Sequence, residues 1–144
     1  MHARDEWILV FDSGLGGISV LRELVQVLPG ERFLYFGDSQ NAPYGTRATE
    51  EVRELTQRCI ASLMPRGVKA VVIACNTASA LALDAVRDEF DVPILGVVIP
   101  GARAAVEATQ NLKVGVVGTD ATVQSGMYTK IIHGMNPEIT VIEK

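Results

Sequence analysis

The sequence has little of what builds several large classes of protein. Its 144 residues hold two cysteines, Cys59 and Cys75. That is too few for a disulfide framework, and their spacing matches no zinc motif. A reducing intracellular compartment is the default for such a chain, so a cytoplasmic location is expected. Histidine is scarce, with only His2 and His133, and no His, Cys, Asp and Glu group has metal-ligand spacing, so no metal is expected. No Lys/Arg run occurs, and 13 basic against 17 acidic residues leave a net charge of −4. The electrostatic footprint of a nucleic-acid binder is missing. Long apolar runs are missing too. Trp7–Phe11 is too short for the core of an export signal or for the roughly 20 residues of a membrane helix. No internal repeat or low-complexity linker interrupts the chain.

What remains is the composition of an ordinary soluble domain, 48% hydrophobic and 21% charged. Short apolar runs alternate with amphipathic stretches. Trp7–Phe11 predicts a first strand, with Trp7 a packing residue. A glycine turn follows, and then a helix carrying Ile18, Leu21, Val25 and Leu28 on one face, stopped at Pro29-Gly30. Phe33–Phe36 predicts a second strand, residues 39–48 a loop, and Thr49 the N-cap of a second helix with Glu50 and Glu51 in its first turn. That helix carries Val52, Leu55, Cys59 and Leu63 on its apolar stripe, which makes Cys59 a core residue. Val68–Ala74 predicts a third strand, apolar almost throughout, as in a parallel sheet covered on both faces. A helix over Ala78–Phe90, a strand over Pro93–Val98 and a helix from Pro100-Gly101 to about Gln110 follow. Val114–Val117 predicts a fifth strand, Asp120–His133 a helix closed by Gly134, and Ile139–Ile142 a last strand. His133, near a helix C-terminus, reads as a surface residue, and His2 lies in the terminal segment. The fold class is α/β, a parallel sheet flanked by helices with right-handed crossovers.

In such sheets the working groups lie beyond the carboxyl ends of the strands. Asp12-Ser13, Asp38-Ser39 and Cys75-Asn76-Thr77 all fall there and can share one crevice. A cysteine is often a small buried residue, but Cys75 stands just before a helix N-terminus, where a thiolate is favoured. Asn76 and Thr77 add donors suited to a carboxylate ligand. Asp12-Ser13-Gly14-Leu15-Gly16-Gly17 partly matches a dinucleotide fingerprint, but Ser19 replaces the third glycine, and no Lys-Ser/Thr follows as an ATPase loop requires. Asp12 is either a phosphatase-like nucleophile or a strand-end residue bonded to turn amides. In the loop Asn41-Ala42-Pro43-Tyr44-Gly45, Tyr44 can close a pocket and offer a hydroxyl or a ring face.

Taken in order, Phe11-Asp12-Ser13-Gly14-Leu15-Gly16-Gly17, Gly37-Asp38, Pro43-Tyr44-Gly45 and Ala74-Cys75-Asn76-Thr77-Ala78-Ser79-Ala80 make a specific set. With Gly96-Val97-Val98 and Pro100-Gly101-Ala102, the chain resembles the N-terminal half of the glutamate racemases, in the cofactor-independent aspartate/glutamate racemase group. The resemblance implies interconversion of L- and D-glutamate for bacterial peptidoglycan. It implies no cofactor and a small-molecule partner, and members commonly form homodimers. Two cysteines work on opposite faces of the substrate α-carbon, one as thiolate base and one as thiol donor. Cys75 matches the first and Asp12 the residue that assists it. Asp12-Ser13, Tyr44-Gly45 and Asn76-Thr77 match substrate contacts, and Thr119 and Thr122 match second-domain threonines near the ligand.

The group has two similar α/β domains with the active site between them. Residues 1–98 then correspond to the first domain and 99–144 to the start of the second. The second cysteine of the group lies in a later Gly-Cys-Thr-His motif that this chain does not reach. The resemblance therefore implies a truncated chain holding half a site, with exposed apolar surface that promotes association. Three alternatives stand beside it: an aspartate racemase, a non-catalytic module that binds acidic amino acids, and an Asp12-dependent phosphotransfer enzyme.

Overall fold

The computed structural model describes residues 6–144, so His2 lies outside the described residues. Strands β1 (Trp7–Asp12), β2 (Arg32–Gly37), β3 (Val68–Ile73) and β4 (Ile94–Gly96) form one sheet in the order β2-β1-β3-β4, parallel throughout. The chain steps from β1 to β2 on one side and returns to β3 on the other. Right-handed crossovers therefore put α1 (Ile18–Val27) on one face, and α2 (Thr49–Leu63), α3 (Asn76–Leu81) and α4 (Leu83–Val86) on the other. The reversal of direction lies between β1 and β3, and a crevice opens there at the strand ends. A separate two-stranded parallel sheet pairs β5 (Lys113–Val116) with β6 (Thr140–Glu143). Helices α5 (Val98–Ala108), α6 (Asp120–Ser125) and α7 (Met127–Met135) accompany it.

The main core lies between the four-stranded sheet and α2. Leu9 and Phe11 of β1 and Val71 and Ile73 of β3 pack there against Val52, Leu55, Ile60 and Leu63. The opposite face is thinly covered. Helix α1 has no buried residue, and Ile18, Val25 and Leu28 of its expected inward stripe are exposed.

Four local expectations change. Ala48, not Thr49, is the N-cap of α2, and it makes no side-chain cap. The helix expected over 78–90 starts at Asn76 and breaks at Ala82. There the Arg53 Nε–H donates to the Leu81 carbonyl at 2.8 Å, taking an acceptor that a continuous helix would give to Ala85. Helix α5 begins at Val98, ahead of Pro100; a proline in the first turn removes no intrahelical bond. The helix expected over 120–133 is two helices, divided at Gly126 with φ of +60°. The second runs through Gly134 to Met135.

Candidate active site

The crevice at the β1/β3 reversal opens into a cavity of about 620 Å³. Asp12 ends β1 and is buried. Its Oδ2 accepts the backbone N–H groups of Gly14 and Gly17, each at 3.1 Å. The Tyr35 hydroxyl donates to the Gly14 carbonyl at 2.7 Å and lies 3.4 Å from the same Oδ2. Burial, reinforced by the Asp12 charge, pushes the Tyr35 hydroxyl up to about 12. The turn has to be glycine-rich for this wrap. A Cβ on Gly17 would lie 2.8 Å from the Asp12 Cβ and 2.9 Å from the Ala74 Cβ. The amides that would cradle a phosphate are thus taken by a carboxylate, which leaves the nucleotide reading of this turn without its donors. Asp12 still borders the cavity beside Ser13.

Cys75 follows β3 and is the N-cap of α3. Its Sγ accepts the Ala78 N–H at 3.4 Å, and its thiol donates to the Ser13 hydroxyl at 3.4 Å. The sulfur thus has one amide suited to stabilising negative charge and one hydroxyl suited to receiving or returning a proton. It is buried yet borders the cavity. Asn76 and Thr77 begin α3, where the backbone N–H groups have no intrahelical partner.

Three threonine hydroxyls meet behind this point. Thr77 Oγ1 is 2.9 Å from Thr119 Oγ1 and 3.3 Å from Thr122 Oγ1. Thr119 and Thr122 are 3.0 Å apart. Thr77 and Thr119 border the cavity. Thr122 does not; it is buried behind them and borders an adjoining cavity of about 420 Å³. Gly45 packs against the same group. A Cβ there would lie 2.5 Å from the Thr119 Cβ, and the Gly45 carbonyl accepts the Ala121 N–H at 3.2 Å.

Tyr44 is 1% exposed, and its hydroxyl donates to Asp38 Oδ2 at 2.7 Å. Of the hydroxyl and the ring face that Tyr44 could offer, the hydroxyl is engaged by Asp38, while Tyr44 borders the cavity beside Pro43 and Gly45. Asn41 donates from Nδ2 to both Asp38 oxygens at 3.0 Å. Cys59, expected in the core, is half-buried at its margin, and its thiol donates to Asp38 Oδ2 at 3.6 Å. Burial first, then the Asp38 charge, pushes this thiol up to about 11. Burial foremost, then the hydrogen bond to Asp38, raises the Tyr44 hydroxyl well above its usual range.

Asp12, Ser13, Tyr44, Gly45, Cys75, Asn76, Thr77 and Thr119 thus border one cavity. Cys59 does not border it; His133 is exposed, and a ring nitrogen lies 2.9 Å from the Ile139 carbonyl. Among the described residues no group of three or more His, Cys, Asp or Glu side chains is placed to share a metal ion. No helix among them is long and apolar enough to cross a membrane. Sequence reading passed over Tyr128, which reaches the cavity from α7. Its only local signal is helical periodicity, and the contact that matters joins it to Asn76.

Residues 8–142 match the family described as Asp/Glu/Hydantoin racemase. A glutamate racemase of Streptococcus pneumoniae serotype 19F is 48% identical over 130 residues, covering 90% of this chain and 49% of that protein. The crystal structure of a Bacillus anthracis glutamate racemase isoform superposes with a TM-score of 0.93 at 41% identity, covering 97% of this chain and 53% of that one. A glutamate racemase from Francisella tularensis, solved in complex with D-glutamate, gives a TM-score of 0.88 at 36% identity, covering 97% of this chain and 52% of its own. The chain spans about half the length of these relatives.

Proposed function

The chain belongs to the Asp/Glu/hydantoin racemase family, and on that premise we propose that it provides one thiol and most of the substrate cradle of a glutamate racemase. In this reading a first α/β unit ends at residue 98 and residues 99–144 correspond to the start of a second. The observation that carries this is the convergence on one cavity of the Cys75 thiol, the Ser13 hydroxyl, the Asn76 amide and the Thr77 and Thr119 hydroxyls.

The chemistry follows from those groups. The α-proton of an amino acid is a weak acid, and removing it builds negative charge at the α-carbon and its carboxylate. Donors already fixed at the start of α3 and on the threonines stabilise that charge without reorganising. The Cys75 thiolate takes the proton, and the resulting thiol can return it to the face it came from. Inversion needs a second acid on the opposite face. Among the described residues Cys75 is the one thiol that borders the cavity, so a two-thiol mechanism would need its second thiol from outside this set. A substrate with two carboxylates needs several N–H and hydroxyl donors, and the Asn76-Thr77 and Tyr44-Gly45 segments border the cavity to supply them. The wider reading, which follows relatives that are bacterial glutamate racemases, is a cytoplasmic enzyme that works as a homodimer and supplies D-glutamate for peptidoglycan.

The test is an NMR titration of the chain with D- and L-glutamate, aspartate and glutamine. Shifts at the amides of Ser13, Gly45, Asn76 and Thr77, strongest with glutamate, are expected. Stronger binding of aspartate would shift the assignment to an aspartate racemase. Absence of any shift with the acidic amino acids would defeat the proposal.

A further inference from the structure

We propose that Tyr128 is a positioning residue that sets which side of the Asn76 amide meets a bound carboxylate; this rests on the acidic-amino-acid reading above. Asn76 is the first residue of α3, and Tyr128 lies in the first turn of α7. The Tyr128 hydroxyl donates to Asn76 Oδ1 at 2.6 Å. That length suits an O–H···O bond, whose usual value is about 2.7–2.8 Å, and is short for an amide N–H donor, near about 2.9–3.0 Å. The amide oxygen therefore faces the tyrosine, and the Nδ2 group, with its two N–H donors, turns the other way. Both side chains border the cavity that holds Cys75.

The orientation matters because a carboxylate only accepts hydrogen bonds. An amide free to rotate presents its oxygen as readily as its nitrogen, and the oxygen repels a carboxylate. A carboxamide ligand has both a donor and an acceptor and tolerates either orientation. Tyr128 thus favours an acid over an amide at this point. The hydroxyl is held without a ligand's help. The ring packs against the small core of Ala102, Ile132 and Ile139. Gly101 leaves the hydroxyl room, since a Cβ there would stand 3.2 Å from it.

The experiment is an NMR titration of the 144-residue chain with D-glutamate, L-glutamate and glutamine. It is run on the unaltered protein, Tyr128→Phe, Asn76→Ala and the double variant. Tyr128→Phe should weaken glutamate binding about three- to tenfold, the scale of one hydrogen bond. It should change glutamine binding less and cost nothing further once Asn76 is alanine. An equal loss for both ligands, or the same loss in the Asn76→Ala background, overturns the proposal. The Asn76 side-chain NH₂ resonances, assigned by their disappearance in Asn76→Ala, must also move when glutamate binds the unaltered chain. If they stay in place the proposal fails, whether or not Tyr128→Phe folds. Glutamate binding that survives Tyr128→Phe unchanged overturns only the role of Tyr128. An unaltered chain that binds neither enantiomer overturns the glutamate reading and this inference with it.

Discussion

Asp38 is a buried carboxylate held by three donors, from Tyr44, Asn41 and Cys59. It fastens the loop that brings Gly45 to the cavity. The Cys59 thiol beside Asp38 and the Tyr35 hydroxyl beside Asp12 share a signature in alkali. The Cys59 thiol is raised from 9.0 to about 11, and the Tyr35 hydroxyl from 10.0 to about 12. A raised value means the folded chain holds the proton more tightly than the unfolded one. That contribution is complete below the ordinary value and is lost as pH climbs through the raised one. The melting temperature should therefore fall between pH 9 and pH 12. Cys59→Ala should flatten the part below pH 11; a profile parallel to that of the unaltered chain would refute the raised thiol as its source. Gly45→Ala is the steric counterpart. Its methyl meets Thr119, and a cost of about 1–3 kcal/mol in denaturant unfolding is expected for such overpacking. Much at this scale was legible in sequence. Cys75, Asn76 and Thr77 follow a strand run, and strand ends are where parallel sheets place their chemistry. The reach of Tyr128 was not, since its partner Asn76 lies far off in the chain and in another element; nor was the direction of the Tyr44 hydroxyl, since turn composition does not show which way a loop side chain faces.

Elements were legible where hydrophobic period and punctuation agreed. Strands β1, β2 and β3 lie within a residue of their expected bounds because parallel strands covered on both faces leave nearly continuous apolar runs. Helix ends were read less well. Gly126 falls inside a periodic stretch, and only the backbone shows that it caps α6 in the left-handed region. Gly126→Ala should destabilise the chain by about 1 kcal/mol, because an L-residue pays a steric penalty there. A chemical denaturation midpoint unchanged by the substitution would mean that the break has another cause. The division of the strands into two sheets was not legible from their spacing, since β4 and β5 are joined by a helix like any other crossover. The apolar stripe of α1 was read correctly as a stripe, but its burial was not, because a stripe says nothing about what covers it.

At the scale of the molecule, apolar surface stands open on several sides. Leu15 is 72% exposed, Val27 74%, Val117 88% and Leu95 62%. Exposed apolar groups in such number favour association. Sedimentation velocity should show self-association that grows with concentration, and Val27→Glu with Val117→Glu should reduce it. A chain that stays monomeric at high concentration would contradict this. The proposed chemistry has the Cys75 sulfur exchange a proton with the α-carbon of glutamate. The most direct measurement follows the α-proton signal of D- and L-glutamate in D₂O with this chain and with Cys75→Ser. Loss of that signal from at least one enantiomer is expected, as deuterium enters, with its persistence in Cys75→Ser. A signal that persists for both enantiomers with the unaltered chain, or fades equally with the variant, would contradict it.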